Sequence, residues 1–390
     1  MQPFAIAGLQ LQLSGHGNNL PRMHERLDFL MAVFPWVQMV VFSELAACGW
    51  SPAHAQAMPG PAEQEFQWMA VRHKVWLVSG SHFELAEGGK VYNTASVIDP
   101  EGVVVARHRK LFPFLPYEQG VSAGSNFVVF DIPDVGRFGV SICYDMWFPE
   151  TSRQLAAMGA EVIIHPTLTS TIDRDVELSI ARATAATNQC FMVDINGVGD
   201  VGNGRSVVIG PAGDVIYQAG TSEELIPIEV DLARVRRSRE VGLRGLGQPL
   251  KSFRDSTVRF PVYAGETREY LETLGPLARA ERGTRAGIRG VVPTPEHATI
   301  PVPGMIDSTG HALVPTLPAP VPVPVPVPAH AVPVPSHPAA VLPAVPHASL
   351  EAPPSVAPLA APPGQFAPSI LPDFPAHAAS QGAEVQSGDL

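Results

Sequence analysis

Cysteine is scarce in this chain of 390 residues, which carries three: Cys48, Cys143 and Cys190. They are too few and too far apart for a disulfide framework or a zinc-ligand spacing, which points to a reducing compartment. Long apolar runs are missing as well. With no stretch of about 18 consecutive apolar residues, no membrane-spanning helix is expected, and the Val/Pro tract near the C-terminus cannot form one because proline interrupts the helical ladder. No basic segment precedes the N-terminal FAIAGLQLQL, whose alternation reads as a strand and not as a signal peptide. A cytoplasmic protein is the expectation. The 13 histidines form no HExxH or comparable pair, so neither a metal nor a cofactor is expected.

Basic residues are also in short supply at one end. Nothing after Arg289 is Lys or Arg, and the six acids beyond it contribute −6 of the formal −11, which leaves −5 for the rest. A mildly acidic body argues against nucleic acid as a partner, since phosphate contacts need a basic face. The densest basic cluster, Arg234, Arg236, Arg237 and Arg239, is flanked by Asp231 and Glu240 and reads as a solvated helix face. More than half of the 41 prolines lie beyond residue 290. The organisation expected is therefore a folded domain over residues 1–265, a helical extension over 266–290, and a disordered Pro/Ala/Val-rich tail over 291–390.

Within the body, strand and helix signals alternate. Strands are expected at Phe4 to Leu13, Met39 to Phe42, Val75 to Phe83, Val91 to Ile98, from Val103 towards Lys110, Phe127 to Ile132, Gly139 to Ile142, Val162 to His165, Phe191 to Ile195, Ser206 to Ile209, Val215 to Tyr217 and Leu225 to Val230. Helices are expected at Leu20 to Phe34, Glu63 to His73, Glu150 to Met158 and Val176 to Asn188. Strand–helix–strand units mixed with hairpins suggest an α/β fold of four layers, two packed mixed sheets covered by helices. Gly197, Gly199 and Gly202 match GxGxxG, but another strand follows them, so the segment reads as a hairpin loop with no helix N-terminus to hold a pyrophosphate.

Chemistry concentrates around GRFGVSICYDMWFPET, residues 136–151. A short apolar run bounded by glycine ends at Cys143, and Pro149 with Glu150 suits the first turn of a helix. Cys143 then sits at a strand's end beside free backbone N–H groups, where a nucleophile belongs. A thiol is mostly protonated at neutral pH, so a base and a cation are needed nearby. Glu44 follows four apolar residues, and Lys110 ends another strand. Each of the three alone would read as a packing thiol or half of an internal ion pair; together they suit a thiol nucleophile, a general base and an oxyanion-stabilising ammonium. The backbone N–H of Tyr144 would assist Lys110. Cys48 and Cys190 read as packing thiols, Asp145 and Glu150 as residues that fix the turn and cap the helix, and Arg182 and Asn188 as structural anchors.

FSELAACGW around Glu44, HRKLF around Lys110 and SICYDMWFPE around Cys143 resemble the three motifs of the nitrilase superfamily of carbon–nitrogen hydrolases, in that family's order. GRSVVIGPAGDVI is similar to its C-terminal strands, and the resemblance covers about residues 3 to 265. It implies an αββα sandwich, a Glu–Lys–Cys catalytic triad, a thioester acyl-enzyme, no cofactor, and homodimers or larger homo-oligomers. It also implies a second glutamate after the lysine motif, which PYEQG supplies as Glu118, to orient substrate or Lys110. Tyr144-Asp145 stands where true nitrilases have Trp-Glu, so a small linear amide or N-carbamoyl (ureido) substrate is expected before a nitrile. Tyr117, Tyr144, Trp147, Thr167 and Leu168 are candidates for the pocket. RGLGQPLKSFRDS departs from the shorter carbamoyl hydrolases. Nitrile hydrolysis or acyl transfer at the same cysteine is the nearest rival, and a scaffold docking partners through its Pro-rich tail is a rival of another class.

Overall fold

A computed structural model describes residues 3–265 and 269–279. The tail expected over residues 291–390, and most of the extension expected over 266–290, lie outside the described residues.

Two mixed sheets form the centre. In the first, the strand order is Glu224–Val230, Phe4–Gln10, Met39–Phe42, Trp76–Val78, Val91–Ile98, with His82–Leu85 and Val104–Arg109 also paired to Val91–Ile98. The second runs Val215–Gln218, Val207–Ile209, Phe191–Asn196, Val162–Thr167, Gly136–Val140, Val128–Ile132. Because successive side chains of a strand point to opposite faces, each inner strand must bury both sets. Ile6, Met39, Val41 and Val97 pack between the sheets against Phe138, Val140, Ile164 and Val193. The alternate residues Ala7, Leu9, Val40 and Phe42 meet Met23, Leu27 and Leu30 of the Leu20–Val33 helix and Phe66 and Met69 of the Pro61–His73 helix. On the other side Ile163, Met192 and Ile209 pack on Leu155 of the Pro149–Ala157 helix and on Leu178, Ala181 and Ala185 of the Arg174–Asn188 helix. The four layers are those expected. At Gly8 a Cβ would stand 2.1 Å from Ile195 Cδ1 of the opposite sheet, so a side chain there would require Ile195 to move.

Three readings are corrected. The strand expected from Val75 to Phe83 is two strands, Trp76–Val78 and His82–Leu85, broken at Gly80, whose φ of +73° no extended strand contains. The strand before the cysteine ends at Val140, so Ser141 and Ile142 already belong to the turn. The arginine cluster on the Leu232–Val241 helix is not a purely solvated face: Arg234 pairs with Asp214, Arg236 with Glu161, and Arg239 donates to the carbonyls of Gln189 and Ala160. Those carbonyls, left over at the ends of neighbouring elements, are acceptors a sequence does not display. Gly197 to Gly202 is a loop whose Val198–Gly199 pairs with Gln12–Leu13, and the strand Val207–Ile209 follows it. Among the described residues no helix is long and apolar enough to cross a membrane.

Candidate active site

Glu44 and Lys110 follow strands of the first sheet, whereas Cys143 follows, by three residues, a strand of the second, so the three come together only because the sheets stack face to face. Both turns that aim the side chains are sharp. Cys143 has φ +47° and Leu45, next to Glu44, has φ +52°. For residues with a Cβ such left-handed backbone costs about 1–3 kcal/mol and persists only where surroundings enforce it. At Glu44 they do: Glu44 N–H donates to the Thr167 carbonyl of the opposite sheet at 3.2 Å, and Leu45 N–H to Ser81 Oγ at 3.0 Å. The backbone of Gly80 lies so close to Ser43 that a Cβ would stand 1.9 Å from its carbonyl oxygen. The glycine that breaks the strand therefore seats the glutamate.

Lys110 Nζ donates to Glu44 Oε1 at 2.9 Å and to Glu118 Oε2 at 3.0 Å. Asn93 Nδ2 donates to Glu44 Oε1 at 2.8 Å and to Glu118 Oε1 at 3.4 Å. Phe114 N–H closes on Glu118 Oε2. Glu44 and Lys110 are 2% and 1% exposed, so the pair is out of water and its hydrogen bonds must offset the loss of solvation. Burial opposes the Lys110 ammonium, but Glu44, Cys143 and Glu118 outweigh it and hold its pKa well above the ordinary lysine value. Burial, with Glu118 adding to it, raises the Glu44 carboxyl although Lys110 pulls it down. Burial and the Glu44 carboxylate push the Cys143 thiol well above its ordinary value, and Lys110 only partly counters them. These surroundings disfavour the Cys143 thiolate, and the Glu44 side chain lies within hydrogen-bonding reach of the thiol.

Asp145, fully buried, ties the cysteine turn to the lysine loop. Its Oδ1 accepts from Leu111 and Phe112 N–H, both at 2.9 Å, and its Oδ2 from Ile142 N–H and His108 Nε2, both at 3.0 Å. It does more than fix its own turn: it holds the residues after Lys110 to the residue before Cys143. Behind the thiol, Cys143 Sγ faces the Leu168 carbonyl at 3.9 Å. The Leu168 segment is anchored by Thr169 Oγ1 on Glu177 at 2.8 Å and by Asn196 Nδ2 on the Thr169 carbonyl at 2.9 Å. Glu177 in turn meets the buried Arg174, which forks onto Asp194 at 3.0 and 3.1 Å.

A cavity of about 290 Å³ opens onto Glu44, Lys110, Glu118 and Cys143, walled by Trp50, Phe83, Phe114, Tyr117 and Leu168. Of the pocket candidates, Tyr117 and Leu168 line it. Thr167 lies behind, giving its carbonyl to Glu44. Tyr144 packs edge-on against Phe114, and Trp147 turns away so that Nε1 donates to Glu177 at 3.4 Å. Asn93 escaped the sequence reading, although an asparagine inside VYNTASVI is out of character for a strand and was a usable signal. Trp50, Phe83 and Phe114 gave none, because wall residues come from unrelated turns. A larger cleft of about 380 Å³ elsewhere contains no thiol, and its Arg107 and Arg109 are tied to Glu63 and Glu84. Among the described residues no group of three His, Cys, Asp or Glu side chains is placed to hold a metal.

Cys190 is buried and its thiol is pushed up to about 12 by burial, which suits packing and not chemistry. Arg182 donates to the Gly213 carbonyl and Asn188 to that of Thr184. His165, whose Nδ1 meets Ser141 Oγ at 2.7 Å, and His82 are both pushed down to about 4 by burial. Both are neutral in the folded state while the unfolded chain protonates near pH 6.5. Between about pH 6.5 and 4 the unfolded state binds more protons, so stability is complete above that window and falls as pH falls through it. Urea unfolding at a series of pH values is expected to show this loss, reduced when His82 is replaced by Phe.

The family profile for carbon-nitrogen hydrolases matches residues 29–240. The chain belongs to that family, an enzyme family within the nitrilase superfamily that its three motifs resemble. It is 27% identical over 261 residues to the human omega-amidase NIT2, covering 62% of this chain and 93% of that protein. The crystal structure of Saccharomyces cerevisiae Nit3, a member of branch 10 of the nitrilase superfamily, superposes with a TM-score of 0.57 at 28% identity, covering 61% of this chain and 94% of that one. A carbon-nitrogen hydrolase from Helicobacter pylori shares the fold with a TM-score of 0.58 at 24% identity, over 67% of this chain and 98% of its own.

Proposed function

We propose that the protein hydrolyses the C–N bond of a small linear amide or N-carbamoyl compound, with Cys143 as nucleophile, Glu44 as general base and acid, and Lys110 as oxyanion partner. The observation that carries this is the buried Glu44–Lys110–Glu118 set facing a thiol in one small cavity. In the proposed cycle Sγ attacks the carbonyl carbon while its proton passes to Glu44. The oxyanion is met by Lys110 Nζ and by Tyr144 N–H, which lies in the first turn of the Cys143–Trp147 helix and so has no intrahelical acceptor. As the intermediate collapses, Glu44 returns the proton to the departing nitrogen and a thioester remains. Water, deprotonated by Glu44, then cleaves the thioester and regenerates the thiol. Glu118 keeps Lys110 oriented and its charge compensated. The name of the human relative, an omega-amidase, agrees with amide chemistry.

A cavity of about 290 Å³ is at the small end of ligand pockets, which favours a short substrate. In this reading residues 1–265 form the hydrolase domain, working in the cytoplasm as a homodimer or larger homo-oligomer; exposed Phe253, Val258, Phe260 and Tyr263 offer apolar surface for such an assembly. Matched short amides, ureido acids and nitriles, assayed for ammonia and carboxylate, test the proposal. Amides or ureido acids should release nitrogen with an equivalent of carbonyl product. Turnover confined to nitriles, or acyl transfer without net hydrolysis, would reject it.

A further inference from the structure

Asn93 touches both carboxylates of the site. It lies fully buried on the strand Val91–Ile98, and its backbone carbonyl accepts the Lys110 N–H at 2.8 Å from the neighbouring strand. Its Nδ2 donates to Glu44 Oε1 at 2.8 Å and to Glu118 Oε1 at 3.4 Å, so the amide bridges the same two acids that Lys110 Nζ bridges at 2.9 and 3.0 Å. Both acceptors are carboxylate oxygens, and only the NH2 end of the amide can face them. The other end is left alone: Asn93 Oδ1 is buried, and among the described residues no donor reaches it. A buried acceptor without a donor is unfavourable, and asparagine suits a strand poorly. Packing gives no reason for an amide at this position, whereas the two carboxylates do.

The donors are not spread evenly over Glu44. Its Oε1 receives both Lys110 Nζ and Asn93 Nδ2, and neither of them reaches Oε2. An oxygen that already accepts two donors is the poorer proton acceptor, because each donor stabilises the charge on it. The thiol of Cys143 lies within hydrogen-bonding reach of the same carboxylate, so its proton is directed to Oε2. Lys110 alone would hold this arrangement loosely, since its ammonium rides on a flexible stem and turns towards the oxyanion during reaction. The short planar amide of Asn93 projects from a paired strand and stays in place while the lysine changes partner.

We infer that Asn93 is the positioning residue of the general base, pinning Glu44 through Oε1 so that Oε2 faces the thiol. This role rests on the assignment of Glu44 as base proposed above. The groups that face Glu44 are Lys110, which favours its carboxylate, Glu118, which with burial opposes it, and the Cys143 thiol. Two rates are followed against pH in the full chain: kcat/KM on a short amide, and alkylation of Cys143 by iodoacetamide, which needs no hydrolysis. Both should fall as pH falls and Glu44 takes up a proton. Removing the amide donor destabilises the carboxylate, so in Asn93→Leu the acid limb of both profiles should move to higher pH by about one pH unit, as expected for one charge-assisted hydrogen bond. Above the limb kcat should fall by about 10–100-fold with KM little changed. Asn93→Asp keeps the shape, sets a third carboxyl against Glu44 and Glu118, and should move the limb further in the same direction; it carries the test if circular dichroism shows Asn93→Leu to be unfolded. Limbs that stay in place would overturn the positioning role, as would a loss of rate equal at every pH, which marks a merely structural amide. If the wild type hydrolyses no amide while the alkylation limb shifts, the amide reading falls and the positioning role stands; if amides are hydrolysed and neither limb shifts, the positioning role alone falls.

Discussion

Cys143→Ala is expected to fold as the wild type does and to lose amide turnover by at least about 10⁴-fold, because the covalent route disappears with the sulfur and no neighbouring group replaces it. The change removes one atom at a half-buried position, so stability should move by no more than about 1 kcal/mol. Circular dichroism and a thermal melt check the fold, and product release under single-turnover conditions checks the chemistry. In the wild type, rapid acid quenching followed by mass spectrometry should find the acyl group on the peptide that contains Cys143. A folded Cys143→Ala protein that still turns over would end the proposed mechanism, whatever its substrate.

Asp145→Ala should be the most damaging change at a residue that need not touch substrate. It would strip the partner from three backbone N–H groups and from His108. A buried donor left unsatisfied costs about 1–3 kcal/mol, so the total loss should reach at least about 3–5 kcal/mol. The consequence for activity is separate. The carboxylate is what holds the loop after Lys110 against the turn before Cys143, and misplacing reacting groups by an ångström can cost about 100-fold. Urea titration at neutral pH measures the first effect, and kcat at low temperature, where the variant remains folded, measures the second. Asp145→Asn, which keeps the shape and one acceptor oxygen, should fall between. A variant with wild-type stability and activity would show that the two loops hold their register without the carboxylate.

The amino-acid sequence was informative wherever a local pattern carried the physics. Met39 to Phe42 is an unbroken apolar run followed by Ser43 and then an acid, so both the buried strand and the oddity of Glu44 were visible. The turn from Cys143 to Glu150 was legible for the same reason, since a thiol after an apolar run and a proline at a helix start are local features. Reading Val75 to Phe83 as one strand passes over Ser79-Gly80-Ser81, a break that the sequence does display and that the crowding of Gly80 against Ser43 fixes. Trp147 looked like a wall because it follows the nucleophile closely, but its indole N–H finds Glu177, a residue 30 positions away.

By itself the sequence determined the α/β alternation, the family, and the acid, ammonium and thiol that follow strands, because periodicity, turn chemistry and short motifs are properties of neighbouring residues. The stacked sheets decided the rest. They brought Glu44 and Lys110 from one sheet to Cys143 of the other, and recruited Asn93 and Asp145 as hydrogen-bond partners. Such contacts depend on which surfaces remain to be covered once both sheets have packed, and that is a property of the whole fold and not of any segment.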